Sequence, residues 1–339
     1  MKAALLKAFG EPLALEEVPE PVPGPGQILL QVNACGVCHS DLHIARGEWE
    51  RFKNLMSLPV ILGHEVAGRV VAVGPEVEEL REGDAVGVAW FCYTCGRCPY
   101  CRRDLEVFCE NSEITGVTVN GGFGEYMLAW ASHAVRIPRE LSLAQAAPLF
   151  CAGGTVYSAL RKVKLDDSSH VAVWGTGGLG QLAVQLGKLA GSRVTAVDTV
   201  DAKLAVAREL GADDVLLAGE AETWFEDFER QADVALVCAN SAQAYHGAFR
   251  SLRKTGVLLV VGLPSDPLTW TAADFVRSGV RIVPSRVVTR QELRELLSLA
   301  ARGALRSHIE RLPLEEINNA LQRLHEGKIV GRAVIDFAV

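Results

Sequence analysis

The sequence lacks an uninterrupted apolar stretch close to the roughly 20 residues that a membrane-spanning helix needs. Positive charge is also scarce: 34 Lys and Arg stand against 41 Asp and Glu, the net charge is -7, and no basic tract is present. Residues 1–7 have no extended apolar core followed by a small-residue cleavage site, so we expect no secretory signal there. These features exclude a membrane span and argue against binding to nucleic acid or anionic membranes. We expect a cytoplasmic protein.

The rest of the composition is that of an ordinary globular protein, with 49% hydrophobic and 22% charged residues. A chain of 339 residues is too long for one typical core, which suggests two domains or one large one. Nine cysteines in a cytosolic chain of this size indicate metal binding or catalysis rather than disulfide bonds.

The first half of the chain has the pattern of short strands separated by turns. Residues 27–34, 66–74 and 83–88 are strand-like, and another strand is expected to end near Pro138. This spacing predicts an antiparallel, barrel-like arrangement. A helix is predicted at residues 153–163, where the character of the chain changes.

The second half opens on an apolar run at residues 170–174, followed by the glycine-rich turn at 175–180 and by helical spacing at 181–189. In this strand-turn-helix context the first glycine permits the tight turn, the second lets the backbone approach a pyrophosphate, and the third lets the helix pack on the strand. The helix N-terminus then offers unpaired N–H groups to the phosphates. The sequence therefore predicts a dinucleotide site.

The next strand, 193–197, ends in Asp198. A carboxylate there can accept hydrogen bonds from the adenosine ribose and repel a 2′-phosphate, which favours NAD over NADP. The alternative is a helix N-cap, although Asp201 is the better cap candidate for the helix expected at 202–210.

Further strands near 215–217, 233–237 and 257–261 alternate with helices, which indicates a doubly wound parallel sheet. Two amphipathic helices at 291–302 and 314–326 and a strand at 331–337 follow, and this last part could rejoin the N-terminal domain.

Four cysteines lie close together in one loop. Their spacing lets thiolates surround one ion with no open position, as in structural zinc sites. The alternative, a set of redox-active thiols, is disfavoured because exposed thiols so close together would oxidise without a metal. The four are Cys95, Cys98, Cys101 and Cys109. We treat Cys35, Cys92 and Cys238 as structural residues.

A second metal site is predicted from three separate segments. Cys38 lies in Gly-Val-Cys-His-Ser-Asp-Leu-His, His64 follows the apolar run 58–62, and Cys151 follows a short apolar segment. Two thiolates and one imidazole suit zinc and leave a fourth position for water or substrate. The alternative for each cysteine alone is an ordinary buried thiol.

These motifs, in this order, resemble the zinc-dependent alcohol dehydrogenases of the medium-chain dehydrogenase/reductase superfamily, and most of all its bacterial and yeast-type branch. The likeness runs over nearly the whole chain. It implies an α/β fold in which a GroES-like β-rich catalytic domain, residues 1–152 and 287–339, is interrupted by a doubly wound Rossmann NAD-binding domain, residues 153–286.

The resemblance also implies two zinc ions and NAD, with roles for particular residues. Cys38, His64 and Cys151 would hold catalytic zinc, and the four-cysteine loop would hold structural zinc. Glu65 would be an exchange ligand, Asp41 would orient His64, and Ser40 and His43 would form a proton relay. His39 and Arg332 would lie near the cofactor phosphates, and Thr155 and Leu179 beside the nicotinamide. The remaining cofactor residues would be Gly175, Gly177, Gly178, Gly180, Asp198 and Lys203.

The activity implied is oxidation of primary and secondary alcohols, and the reverse, by hydride transfer to C4 of the nicotinamide. The substrate would be a small molecule and the protein a homotetramer or dimer. One alternative is the same chemistry on a polyol, threonine or another substituted alcohol. A second alternative is a non-catalytic dinucleotide-binding protein.

The chain departs from the family pattern at two places. Gly154 stands where a branched apolar residue is usual, which predicts a looser wall around the nicotinamide. Pro284 and Val288 lie in a stretch that commonly carries glycines, and they should stiffen it. Trp49 and Trp90 fall in segments that line the substrate cleft in relatives, but plain core positions are equally compatible with the sequence.

Overall fold

The computed structural model describes residues 1–338. The chain divides into two compact units: the first is Met1–Gly154, Val288–Gly303 and Ile309–Val339, and the second is Thr155–Val287 and Ala304–His308. Within the described residues, no helix combines the length and apolar character that a membrane crossing requires.

The first unit is rich in antiparallel strands. Its largest sheet has seven strands, in the order β10-β6-β5-β3-β18-β17 with β9 also paired to β3, and it is flanked by the sheet β2-β1-β4 and the ribbon β7-β8. The strands are β1 (Lys2–Leu6), β2 (Ala14–Glu17), β3 (Gln27–Gly36), β4 (Val60–Ile61), β5 (Glu65–Val73), β6 (Ala85–Val88), β7 (Phe91–Tyr93), β8 (Glu113–Ile114), β9 (Tyr126–Trp130), β10 (Val135–Arg136), β17 (Ile309–Leu312) and β18 (Arg332–Asp336).

The longest strand of this unit, β3, lies near the middle of the large sheet. Most of its side chains are buried, whichever face of the sheet they point to, because neighbouring elements cover both faces. Its edges are paired with β5 and β18. Its last residue, Gly36, lies opposite Glu65 on one side and Val334 on the other. The last residue of β3 therefore lies between the first residue of β5 and the middle of β18.

The helices of the first unit are short except near the C-terminus. They are α1 (His39–Ala45), α2 (Glu50–Lys53), α3 (Leu143–Ala146), α10 (Arg290–Ala301) and α11 (Ile317–His325). Helix α10 begins with a capping box in which Thr289 and Glu292 satisfy each other's backbone N–H groups. It buries its leucine face, as its amphipathic spacing predicts.

The second unit is built on a six-stranded parallel sheet in the order β13-β12-β11-β14-β15-β16. Its first strand is central, so the chain winds outward in both directions, as in doubly wound folds. The strands are β11 (His170–Trp174), β12 (Arg193–Asp198), β13 (Asp214–Leu217), β14 (Ala232–Val237), β15 (Leu252–Val260) and β16 (Arg281–Pro284). The helices are α5 (Gly180–Leu189), α6 (Asp201–Glu209), α7 (Ala218–Trp224), α8 (Ala242–Ser251) and α9 (Ala272–Ser278). Helix α4 (Ala152–Leu160) carries the chain from the first unit into the second.

Three sequence-based expectations differ from the structure. The strand expected to end near Pro138 is two strands, β9 and β10, separated by a 3-10 turn at Ala131–His133. The N-cap of α6 is Val200, and Asp201 is the first helical residue, where its negative charge still favours the helix N-terminus. Helix α1, which begins right after Cys38, was not predicted.

The domain division also differs in one segment. Ala304–His308, which the sequence assigned to the first domain, groups with the second unit. The Gln181 and Gln185 side chains on α5 bond its backbone: His308 N donates to Gln181 Oε1 at 2.6 Å and Arg306 N to Gln185 Oε1 at 3.0 Å. The buried side-chain amides of α5 therefore hold residues 304–308 in the second unit. The sequence of this segment does not indicate to which unit it belongs. The two compact units otherwise divide between Gly154 and Thr155 and between Val287 and Val288.

Candidate active site and metal centres

A buried carboxylate ties together the segments that supply the first metal cluster. Asp41 is 1% exposed. Its Oδ2 accepts a hydrogen bond from Cys38 N at 2.9 Å, and its Oδ1 accepts bonds from Gly63 N at 3.2 Å and His64 Nδ1 at 3.0 Å. Because Nδ1 donates to the carboxylate, the lone pair of His64 is left on Nε2. The imidazole is thereby held in the tautomer that binds a metal.

The atom that this tautomer leaves free points into a cluster of ligand groups. Within residues 1–338, the buried Nε2 of His64 has no hydrogen-bond partner. Ligand atoms of Cys38, His64, Glu65 and Cys151 all lie within 4.8 Å of one another. An orphaned imidazole nitrogen facing two thiols is costly unless an ion completes it, and sulfur with nitrogen donors favours zinc. The residues therefore fit a zinc ion.

Close approach of backbone to side chain explains the glycine before Cys38. A Cβ added at Gly36 would lie 1.8 Å from Glu65 Oε2, so a larger residue there would displace the carboxylate. Cys151 reaches the same place from a 3-10 turn at Ala147–Phe150, and the next residue, Ala152, donates its N–H to Glu65 Oε1 at 3.3 Å. Tight packing thus fixes the cluster on several sides.

The charges of the cluster are balanced by one buried cation. Arg332 is 2% exposed, and its guanidinium donates from Nε to Glu65 Oε2 at 2.9 Å and from Nη2 to Glu65 Oε1. The sequence assigned Arg332 to the cofactor phosphates; its contact in the structure is Glu65. The reason is that β3 pairs with both β18 and β5, which brings the start of β18 near the start of β5. This buried pair is the main contact that sequence reasoning missed.

This arrangement favours a thiolate at Cys38. A hydrogen bond from the Cys151 thiol holds the pKa of Cys38 well below its ordinary value, against the effect of burial and with help from the positive charge of Arg332. Burial alone would lower the pKa of His64, but the Asp41 carboxylate outweighs it and raises that pKa well above its usual value. Burial raises the pKa of Glu65, and Arg332 opposes the rise.

Changing Asp41 to Asn should weaken the first metal cluster without removing a ligand. Asp41 accepts hydrogen bonds with both carboxylate oxygens, whereas the asparagine amide has only one accepting oxygen. We therefore expect His64 to lose its fixed tautomer. We expect zinc affinity to fall by roughly 10- to 100-fold. Competition with a chromophoric chelator measures the affinity, and Asp266→Asn, at an exposed position of the second unit, is the matched control. Equal affinity in Asp41→Asn and the native protein would contradict the orienting role.

The four-cysteine loop forms a second cluster, closed on all sides by sulfur. The four Sγ atoms lie within 4.8 Å of one another, with the Cys95 and Cys109 sulfurs 3.6 Å apart. Backbone N–H groups of Arg97 and Cys98 lower the pKa of Cys95 to about 6, which favours the thiolate that metals bind. All nine cysteines are free thiols in the structure. Four thiolates without an open position fit structural zinc.

A row of aromatic rings connects His43, a predicted relay residue, with His64, a predicted metal ligand. Trp90, 7% exposed, packs edge-on against His64 at 4.8 Å between centroids. Phe52 lies 5.7 Å from Trp90 and 5.5 Å from Trp49, which stacks on His43 at 5.0 Å. The sequence left both tryptophans undecided between cleft and core. The structure puts Trp90 against a predicted metal ligand and Trp49 against a predicted relay residue.

The two relay candidates both lie on α1. Ser40 Oγ is 3.8 Å from Cys38 Sγ, so it borders the metal cluster. His43, one turn further on, is half-buried and its Nδ1 bonds the Glu48 carboxylate, which is exposed. His39 is the first residue of the same helix, with its ring 6.2 Å from that of His43. One short helix therefore carries Asp41 and three further predicted residues.

The second unit contains the glycine turn between β11 and α5. Gly175 has φ of +89°, a left-handed conformation that favours glycine, and a Cβ at Gly180 would lie 1.9 Å from the Gly175 carbonyl oxygen. A Cβ at Gly177 would meet no atom within 4 Å, so this backbone is open. Gly178 and Leu179 precede α5 and are half-buried. The turn leaves a cradle of bare backbone at a helix N-terminus, which fits a dinucleotide phosphate.

Asp198 ends β12 beside this turn. Its Oδ2 accepts hydrogen bonds from Thr176 N at 2.6 Å and Thr176 Oγ1 at 3.1 Å, and its Oδ1 accepts from Thr199 N at 2.8 Å and Val200 N at 3.1 Å. The carboxylate is thus fixed in place. It borders a cavity of about 470 Å³ lined by Gly175, Asp198, Ala239 and neighbouring residues of the same unit. Asp198 is therefore not the N-cap of α6, which is Val200, and its carboxylate lies beside the glycine turn.

The remaining predicted cofactor residues occupy separate places. Lys203 lies in the first turn of α6 and is half-buried. Thr155, on α4, is buried and is the first residue of the second unit. His39 and Arg332 belong to the first unit.

An open thiolate and imidazole metal cluster in one unit and a dinucleotide cradle in the other define a metal-dependent, nicotinamide-linked dehydrogenase. Two family models match the chain: the alcohol dehydrogenase GroES-like domain at residues 24–139 and the zinc-binding dehydrogenase at residues 178–302. The chain is 41% identical to an alcohol dehydrogenase of Geobacillus stearothermophilus, over 99% of both chains.

Solved structures give the same result. The alcohol dehydrogenase of the hyperthermophilic archaeon Aeropyrum pernix superposes with a TM-score of 0.93 at 35% identity, covering 99% of this chain and 100% of that one. Acetophenone reductase from Geotrichum candidum in complex with NAD gives 0.90 at 32% identity, covering 99% and 97%. The chain belongs to the zinc-binding alcohol dehydrogenase family. The predicted fold class, a GroES-like β-rich unit with a Rossmann unit, is confirmed, and the chain is an oxidoreductase.

Proposed function

We propose that this enzyme oxidises small, largely apolar primary and secondary alcohols to aldehydes and ketones with NAD, and catalyses the reverse reduction. The observation that carries the proposal is the cluster of Cys38, His64 and Cys151, with an orphaned Nε2 aimed at two sulfurs. The rings of Trp90, Phe52 and Trp49 beside this cluster favour an apolar substituent on the alcohol.

When bound, zinc supplies a Lewis acid that lowers the pKa of an alcohol hydroxyl, and NAD supplies the hydride acceptor. The residues of the chain do the rest. Cys38, His64 and Cys151 hold the metal, and Asp41 keeps the proton of His64 on Nδ1. Trp90 excludes water from one side of the cluster, which strengthens the electrostatic interactions there. Asp198, a fixed negative charge, favours NAD over NADP.

Ser40 and His43 are proposed to carry the alcohol proton away from the site. Ser40 Oγ borders the cluster, and the Nδ1 bond between His43 and the exposed Glu48 gives the proton a way to solvent. Glu65, held by Arg332, is proposed as an exchange ligand.

A substrate panel tests the proposed function. The native protein loaded with zinc is mixed with NAD or NADP and with ethanol, benzyl alcohol, longer alcohols, a polyol or threonine, and NAD(P)H is followed by absorbance. We expect the highest kcat/KM with NAD and an apolar alcohol. A clear preference for the polyol or for threonine would replace the substrate class, and binding of NADH without turnover of any alcohol would favour the non-catalytic alternative.

His43→Gln should slow proton transfer and leave the metal in place. The amide keeps a polar group at this position but cannot be protonated, so we expect kcat to fall by roughly 100-fold with an unchanged zinc content. Steady-state kinetics with added imidazole buffer measures the effect, and partial rescue by imidazole is expected. His325→Gln, at an exposed position on α11, is the control. An unchanged kcat would remove His43 from the relay.

We further propose that the enzyme is a homotetramer or dimer located in the cytoplasm. Strand β16 ends the six-stranded sheet and carries the exposed Ile282, so its edge is open to another copy. Nine free thiols suit a reducing compartment. Light scattering on the zinc-loaded protein measures the oligomeric state, and a monomer at micromolar concentration would contradict the assembly.

A further inference from the structure

Gly154 and Val288 compete for one space, although they lie far apart in the sequence. A Cβ added at Gly154 would be 2.5 Å from Val288 Cγ1, 2.7 Å from its Cβ and 3.0 Å from its Cγ2. Val288 is 6% exposed and cannot turn its methyl groups into solvent. Only one of the two positions can therefore carry a branched side chain.

Both residues are among the departures from the family pattern that the resemblance implies, together with Pro284. The resemblance implies a branched residue at 154 and glycines in the stretch that contains 288. The sequence predicts a looser wall at Gly154, but the Val288 methyl groups fill the volume that a side chain at 154 would occupy. The side-chain volume has been exchanged between the two positions.

Val288 is held firmly in this space. The residue after it, Thr289, caps α10, and Arg290 donates from N to Glu106 Oε1 at 2.8 Å and from its guanidinium to Glu106 Oε2 at 2.6 Å. Arg290 also donates to the Ser132 carbonyl at 2.6 Å. Glu106 belongs to the loop that carries the four cysteines, so this loop anchors the start of α10.

Gly154 lies close to the proposed reaction centre. It lies in the first turn of α4, three residues after the proposed metal ligand Cys151. Hydride transfer needs the nicotinamide ring within about 3 to 3.5 Å of the substrate carbon, and that carbon is bound next to the metal ligands. We therefore expect the ring to lie beside Cys151 and the residues that follow it.

We propose that Gly154 and Val288 are a size-exchanged pair in which Val288, in place of residue 154, supplies the apolar side chain that positions the nicotinamide. This inference rests on the proposed use of NAD. Val288 acts through packing and through the ring it supports, and is a positioning residue.

Four zinc-loaded proteins test the pair: the native chain, Gly154→Val, Val288→Gly and the double variant. The melting temperature and the dissociation constants of NADH and ADP-ribose are measured for each. ADP-ribose lacks the nicotinamide, so it reports on the rest of the cofactor site. Val22→Gly, at an exposed position outside any helix or strand, controls for the glycine substitution. Should Gly154→Val fail to fold, Gly154→Ala, whose Cβ makes the same contact, replaces it.

We expect each single variant to melt earlier than the native chain and to bind NADH roughly 10-fold more weakly, with ADP-ribose binding within about 2-fold. The double variant should recover both properties. Additive effects in the double variant would overturn the exchange. If the double variant recovers the melting temperature but the ratio of NADH to ADP-ribose affinity is the same in all four proteins, Val288 does not position the nicotinamide. If the native chain binds neither ligand, the proposed cofactor is wrong, and the melting temperatures still decide whether the volume is exchanged.

Discussion

His64→Ala is expected to abolish turnover by removing one zinc ion from the chain. The variant loses the nitrogen donor of the first cluster and leaves Asp41 buried without its main partner. Two thiolates alone hold zinc poorly, so the metal content should fall from the two ions that the two clusters predict to one. Because Lewis-acid assistance is worth several kcal/mol, we expect kcat to fall by at least about 1,000-fold.

The matched control is His246→Ala, on α8 in the second unit. Metal analysis and single-turnover NADH formation are measured on the same preparations. Binding of NADH to His64→Ala should persist, because the glycine turn and Asp198 belong to the other unit. Full turnover in a His64→Ala protein that has lost one zinc equivalent would disprove the proposed chemistry.

Cys98→Ser is expected to have the largest effect on stability. A zinc ion held by four thiolates contributes an apparent 10 to 16 kcal/mol or so in small peptides, and removing one ligand opens the site. We expect the free energy of unfolding of the whole enzyme to fall by only part of this amount, since the ion pair of Glu106 with Arg290 also holds the loop. We expect the melting temperature to fall by at least about 10 °C, with one zinc ion lost.

The kinetic consequence separates the two metal clusters. Cys98→Ser measured immediately at low temperature should keep most of its activity, because the first cluster is intact, and should then lose it faster than the native enzyme. Arg97→Ser, in the same loop and exposed, keeps all four thiols and is the control. Immediate loss of activity at an unchanged melting temperature would show that the four-cysteine loop is not a structural site.

The parts of the site that could be predicted from sequence are those with local chemical requirements. Metal ligands are predicted by the closely spaced thiols of one loop and by the Gly-His-Glu triplet after an apolar run. The glycine turn is recognised because a strand precedes it and a helix follows it. Gly175 and Gly180 show why: their conformation and the lack of room for a Cβ permit little else.

The parts that could not be predicted depend on contacts between distant segments. Arg332 and Glu65 are separated by 267 positions, and their ion pair follows from the register of three strands. Gly154 and Val288 share one volume in the fold, and neither residue alone indicates this in the sequence. Helix α1 has only seven residues, so its apolar periodicity is too short to be recognised in the sequence.

The central claim is that turnover depends on the zinc held by Cys38, His64 and Cys151. It is tested most directly by adding zinc stepwise to the metal-depleted enzyme and measuring bound zinc and NADH formation from an alcohol in the same samples. We predict that activity rises with zinc and reaches its limit when each chain holds two ions. Full turnover by chains that hold no zinc would contradict it.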